Sequence, residues 1–252
     1  MRFLQHLFAA LSLSFVAVAA IASPASPVSG TEFRTLDKPQ PTEAGKKVEV
    51  IEFFWYSCPH CNAFEPSLSD WVKKQGDNIV FKRVPIAFNE SFGPEQRLYY
   101  ALEALGKSEE LQKKIFHAIH GERKALNKEG PITDYVVGQG IDKAKFTDLY
   151  NSFGVQTKVR RAVQLQEAFK VDGVPMIAID GRYVTSPSIV GTSLGNQPEP
   201  VLQAATLQVM DWLVAKAAKE HQPAAAAADT KSAPSAAQKK PVKTASAKEG
   251  AK

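Results

Sequence analysis

Cysteine is almost absent from this chain: Cys58 and Cys61 are the only two among 252 residues. Two cannot build the multi-bridge framework that small exported proteins use for stability. Net charge is missing too, where it would count. The pI of 9.1 reflects a lysine-rich C-terminal stretch, while the body from Ser23 to His221 carries equal numbers of basic and acidic residues. A nucleic-acid surface needs a basic stripe on the fold itself, so that class is excluded. Beyond Ile21 no apolar run approaches the roughly 20 residues of a membrane-spanning helix, so the mature chain is expected to be soluble. Aromatic residues are missing from 222–252, a stretch rich in Ala, Lys, Pro and Ser that cannot build a core. It reads as a disordered solubilising tail, or as a weak electrostatic foothold on an anionic membrane or wall.

The N-terminus is built differently. Arg2 precedes an almost wholly apolar run, Leu7–Ile21, that closes with Ala20-Ile21-Ala22. A basic start, about 15 apolar residues and a small-x-small site make a cleavable secretory signal over residues 1–22. An uncleaved anchor and a buried core helix are the alternative readings. The rest is long enough for one large domain or two small ones. Its composition, 44% apolar and 23% charged, is ordinary for a globular protein.

The spacing of the cysteines argues against a structural crosslink. Joining Cys58 to Cys61 closes a loop of about four residues, worth roughly 2 kcal/mol, against about 3 for a 15-residue loop. A body of this size can bury a full core without such a staple. The pair is poorly placed to stabilise and well placed to react. Val48–Phe54 (VEVIEFF) is β-branched and aromatic and predicts a buried central strand. Phe64, Leu68, Trp71 and Val72 then recur at helical spacing, with Pro59 suited to the first helical position. Cys58 therefore caps a helix, its sulfur near unpaired N–H groups and the positive end of the dipole. His60 adds a donor in the first turn. Each factor favours thiolate over thiol at Cys58. Cys61, one turn on, faces the buried side and stays a shielded thiol.

The stretches VIEFFWYSCPHC at 50–61, GVPMIAIDGRY at 173–183 and TEFRTLDKPQP at 31–41 resemble the DsbA family, the thioredoxin-fold disulfide oxidants of the bacterial periplasm. The likeness runs from about Thr31 to Ala218. It implies an α/β, thioredoxin-like fold: a central mixed sheet flanked by helices and interrupted by a helical insertion. The expected organisation is a first thioredoxin-like part over 23–90, the insertion over 91–170, a second part over 171–221, and the tail over 222–252. The residues agree. Asn78–Pro85 predicts a second strand, and Met176–Asp180 a strand that Asp180-Gly181 turns into Arg182–Thr185. Val201–Lys219 predicts a closing amphipathic helix. In the helical stretch Asp142 and Ser108 read as N-caps, Gly106 and Gly154 as stops.

The resemblance also assigns residues. Pro175 matches the family's cis proline opposite the cysteines; taken alone, base rates favour a trans proline that begins a strand. Lacking an N–H, it would leave the strand edge open, so that Gly173, Val174 and Pro175 could receive an extended substrate peptide. Glu52, Glu65 and Lys82 match charged positions of the family. A partly buried carboxylate there could relay the proton of Cys61; equally, Glu52 and Lys82 could form an ordinary ion pair, and Arg83 could replace Lys82 at the matching position. Ser57, small and polar before Cys58, departs from the aromatic tendency there. Phe54 and Trp55 fit either an exposed surface for unfolded chains or the core. His117 and His120 match no zinc finger or ribbon spacing with the cysteines and read as a solvated helix face; no metal is expected.

The expected function is a periplasmic thiol:disulfide oxidoreductase that gives its Cys58–Cys61 disulfide to reduced, newly exported proteins. The redox-active pair, with Pro59 and His60 between the cysteines, serves in place of a cofactor. By resemblance a quinone-linked membrane protein of the DsbB type reoxidises it, and the enzyme is a monomer. A reductase or isomerase of the same fold and a non-catalytic peptide-binding or chaperone module are the competing functions.

Overall fold

A computed structural model describes residues 26–221. The expected signal over 1–22 and the tail over 222–252 lie outside the described residues. Five strands form one sheet in the order β1-β5-β4-β2-β3. β2 (Val48–Phe54) is buried along its whole length, as its apolar run requires. It pairs in parallel with β3 (Ile79–Pro85) and antiparallel with β4 (Met176–Ile179). β4 turns into β5 (Tyr183–Thr185), which pairs with β1 (Arg34–Thr35), a short strand the sequence pattern does not signal. The Asp180-Gly181 turn has φ of 55° and 64° at its two residues, the left-handed backbone that Asp-Gly favours in a tight turn. A Cβ on Gly181 would sit 2.1 Å from the Gln40 carbonyl oxygen, so only glycine fits.

Alternation along β2 feeds two cores. Val48 and Val50 face α1 (Pro59–Gln75) and α8 (Glu199–His221) and pack with Phe64, Leu68, Val209 and Leu213. Ile51 and Phe53 face the helical stretch, with Leu98, Phe116, Phe146 and Phe169. Each fully buried aromatic there is worth roughly 2–3 kcal/mol, as much as the Cys58–Cys61 crosslink would give. The fold does not need that bridge.

Five helices lie between β3 and β4: α2 (Gly93–Ala104), α3 (Ser108–His120), α4 (Glu129–Gly138), α5 (Lys143–Tyr150) and α6 (Phe153–Ala168). A further short helix, α7 (Pro187–Leu194), follows β5 and is not signalled by the sequence. Asp142 caps α5, its Oδ1 accepting from Lys145 N–H at 2.9 Å, and Gly106 (φ 67°) lies just past the end of α2. Two expectations are corrected. Ser108 is the first helical residue of α3 rather than its cap, because the chain re-enters a helix at Lys107 directly after Gly106. Gly154 lies inside α6; Ser152 starts that helix by accepting from Val155 N–H at 3.1 Å. Among the described residues no helix is long and apolar enough to cross a membrane.

Candidate active site

The chain leaves the end of β2 through Trp55-Tyr56-Ser57 and enters α1 at Cys58. Cys58 is the N-cap, with extended backbone, and Pro59 occupies the first turn. The Cys61 N–H points at the Cys58 sulfur, N to Sγ 3.5 Å. Both cysteines are free thiols, Cys58 7% and Cys61 0% exposed. Val174-Pro175 is cis, and the Val174 carbonyl lies 3.5 Å from Cys58 Sγ, close enough to accept from the thiol. Gly173, Val174, Pro175 and His60 share a cavity of about 590 Å³ with Ile189 and Leu202. The structure thus brings together Cys58, Pro59, His60, Cys61 and the Gly173–Pro175 loop.

The two sulfurs are unequal. A hydrogen bond from the Cys61 thiol, aided by the N–H groups of Cys61 and His60 and by the His60 charge, lowers Cys58 to about 6 against the opposing effect of burial. Burial, then the bond to Cys58 and its charge, push the Cys61 thiol well above its ordinary value, and the Glu52 charge pushes it further. Cys58 is therefore an anion at neutral pH while Cys61 holds its proton. A thiolate this stable is a good leaving group.

Behind the pair lies a charge cluster, buried at Glu52, Glu65 and Arg83 and open to solvent at Glu109. Arg83 Nε donates to Glu52 at 2.9 Å, Nη2 to Glu65 at 3.3 Å, and Nη1 to both oxygens of Glu109 at 2.6 and 2.7 Å. Glu52 and Arg83 are register partners on β2 and β3, so they project from the same face. Lys82, one residue earlier, projects from the opposite face and binds Glu43 and Glu49, each at 2.8 Å. The expected Glu52–Lys82 pair is thereby corrected: strand alternation gives that partnership to Arg83. Burial raises Glu52 to about 7, the nearby Arg83 charge offsetting only part of the effect. Its Oε1 is buried with no hydrogen-bond partner.

The turn before Cys58 is held from the helical stretch. Tyr56 Oη donates to Gln112 at 2.9 Å, and His120 Nε2 lies 2.8 Å from the Tyr56 carbonyl. His120 is thus half-buried against the active-site turn rather than on a solvated face; His117 is exposed, 3.6 Å from Glu122. Ser57 N–H and Oγ–H both donate to Glu95, at 3.0 and 2.6 Å. Phe54 is core, and Trp55 is half-buried with its ring 4.3 Å from that of Phe92. Among the described residues no cluster of three or more His, Cys, Asp or Glu is placed to hold a metal ion.

The family profile described as a DSBA-like thioredoxin domain matches residues 49–206. The thiol:disulfide interchange protein DsbA of Burkholderia cepacia is 47% identical over 205 residues, which cover 81% of this chain and 92% of that protein. The chain belongs to the DsbA-like thioredoxin family. It is a thiol:disulfide oxidoreductase with the thioredoxin-like fold that family shares. DsbA of Pseudomonas aeruginosa strain PAO1 is 35% identical over 188 residues, covering 75% of this chain and 84% of its own. A crystal structure of Pseudomonas aeruginosa DsbA superposes with a TM-score of 0.70 at 32% identity, covering 77% of this chain and 96% of that one. Within this family frame, Arg83, Glu95 and Glu199 escaped the sequence reading or were only glimpsed, as did Glu109, Gln112 and His120 around them. Arg83 stood as the alternative to Lys82, and the parity of β2 against β3 could have chosen between them. Glu95 on α2, and Glu199 on α8, whose Oε1 lies 2.8 Å from His60 Nδ1, carry no local signal, since each reaches the site from a helix distant in sequence.

Proposed function

We propose that this protein donates its Cys58–Cys61 disulfide to reduced, unfolded exported proteins in the periplasm. A substrate thiolate attacks Cys58 Sγ; the Cys58–Cys61 bond breaks and Cys61 leaves, taking up a proton. A second substrate thiolate attacks the substrate sulfur of the mixed disulfide and expels Cys58 as a thiolate. The substrate gains a disulfide and loses two electrons, which the protein now holds as a dithiol. The cysteine pair itself carries the electrons, without an organic cofactor. In the reverse half-reaction a quinone-linked membrane protein of the DsbB type takes those electrons and restores the disulfide. The protein works as a monomer.

One observation carries this reading: the Cys58 sulfur sits at the N-cap of α1 with a pKa near 6, beside a shielded Cys61. Stabilising the thiolate favours the reduced form and so makes the disulfide an oxidant. The Gly173–Pro175 loop supplies an extended edge against which a substrate backbone can lie. Glu52, buried and titrating near neutrality, is suited to give Cys61 its proton and take it back, with Glu65 and Arg83 holding it in place. Lys82 lies outside that arrangement.

Equilibration with a glutathione buffer tests the direction. The expected couple is more oxidising than glutathione, so millimolar reduced glutathione converts nearly all the protein to dithiol. A couple near the roughly −270 mV of thioredoxin would instead make it a reductase.

A further inference from the structure

His60 is exposed, yet its ring is held. Nδ1 lies 2.8 Å from Oε1 of Glu199, the first residue of α8. The same oxygen accepts from Gln203 Nε2 at 3.3 Å, one turn along that helix. α8 packs mainly against the sheet face on which Val48 and Val50 lie. Its first residue nevertheless reaches the first turn of α1, two residues from Cys58. The other charged groups lining the cavity beside the cysteines, Arg34 and Asp172, bond to each other at 3.2 Å.

We propose that Glu199 is a positioning residue for disulfide exchange: it holds the His60 ring by Nδ1 and sets a negative charge against it, so that positive charge on the ring is favoured beside the Cys58 sulfur. The inference rests on the reading of Cys58 as the exchanging thiolate. A carboxylate accepts only, so the His60 nitrogen facing it carries a hydrogen; when the ring is protonated, its second proton resides on Nε2. The bond to Glu199 raises the His60 pKa, burial opposes it, and the charges of Glu199 and Cys58 add to the rise. His60 in turn lowers Cys58 through its N–H and its charge. A negative charge on α8 thereby favours a negative charge on the sulfur, with the imidazolium between them. Favouring the thiolate favours the dithiol state and makes the disulfide easier to give away. The effect is modest, because the His60 and Glu199 side chains are 66% and 40% exposed. One partly exposed ion pair is worth about a two- to fivefold change in an equilibrium constant.

The test compares wild type with Glu199→Gln and Glu199→Ala in the full mature protein. Glutamine keeps an acceptor for Nδ1–H and removes only the charge. His60 is read by NMR pH titration of the reduced protein, and the redox couple by its equilibrium constant with glutathione. In Glu199→Gln we expect His60 to titrate lower than in wild type. The constant should move about two- to fivefold toward the disulfide, and 1 M salt should shrink that difference. Wild-type values of both quantities in Glu199→Gln would overturn the proposal while leaving the donor function intact. A wild-type couple as reducing as thioredoxin would remove the donor function, and this proposal with it.

Discussion

Cys61→Ala turns the protein into a trap for its substrates. The variant keeps the Cys58 sulfur at the N-cap beside the N–H groups of residues 60 and 61, with its approach from the Gly173–Pro175 loop unchanged. It loses the Cys61 thiol bond, so Cys58 titrates higher than in the wild type but still reacts as the thiolate. Cys58 still attacks a substrate disulfide, forming a mixed disulfide and releasing the other substrate sulfur as thiolate. What is lost is the second sulfur. Cys61 is the only other cysteine of the chain, and without it nothing intramolecular can resolve the adduct. Catalytic disulfide donation should fall to background, because the variant has no disulfide of its own to give. Non-reducing electrophoresis of cells exporting the variant should show a ladder of adducts with many exported proteins. These should vanish on adding a thiol reductant, and on replacing Cys58 as well. A variant that accumulates no adducts would contradict the exchange mechanism and favour a groove that binds peptides without chemistry.

Glu95→Gln should stabilise the protein by about 3 kcal/mol at pH 8 and change little at pH 4. Glu95 is 2% exposed, and both its oxygens accept from Ser57 with no cation among its hydrogen-bond partners. Burial raises its pKa from 4.5 to about 7, the two Ser57 bonds offsetting only part of the rise. The folded-state value lies above the unfolded one. The folded protein therefore binds the proton more tightly, and stability is fully present below about pH 4.5 and lost as pH rises through 7. Two and a half pKa units correspond to about 3 kcal/mol at complete ionisation. Glutamine fits the same space: its oxygen accepts from the Ser57 N–H, and its amide donates to Ser57 Oγ, which reverses its role. Chemical denaturation across pH 4–8 reads the effect. The wild type should weaken relative to the variant from about pH 4.5 to about pH 7 and level off above that. Parallel curves would show that Glu95 is not a buried carboxylate paired only with neutral donors.

The reactive turn was legible because its signals are local. Pro59 at the first helical position, the apolar spacing of Phe64, Leu68 and Trp71, and the β-branched run of Val48–Phe54 all act within one element. Together they place Cys58 at a helix cap and Cys61 behind it. The Asp180-Gly181 hairpin was legible for the same reason, since left-handed backbone at both residues is written in the dipeptide. What failed was long-range. Choosing Lys82 over Arg83 needed the parity of β3 against β2, and a one-residue shift moves every side chain to the other face. Taking Gly154 as a helix stop ignored Ser152, whose hydroxyl begins α6 two residues earlier. Glu95 and Glu199 were invisible, because a carboxylate on a helix looks like an ordinary solvated residue until the fold carries it to Ser57 or His60. β1 is two residues long and α7 eight, too short for periodicity to announce them.

Everything proposed for the exchange depends on one unequal pair of sulfurs, and the thiolate absorbance of the fully reduced protein reports it directly. Titrated from pH 4 to 10, a single thiolate should appear with a midpoint of about 6, and Cys61 should remain protonated through neutrality. A first midpoint near the roughly 8.5 of a free cysteine would mean that the cap, the Cys61 bond and His60 do not hold charge on Cys58, and the account of its oxidising chemistry would be wrong.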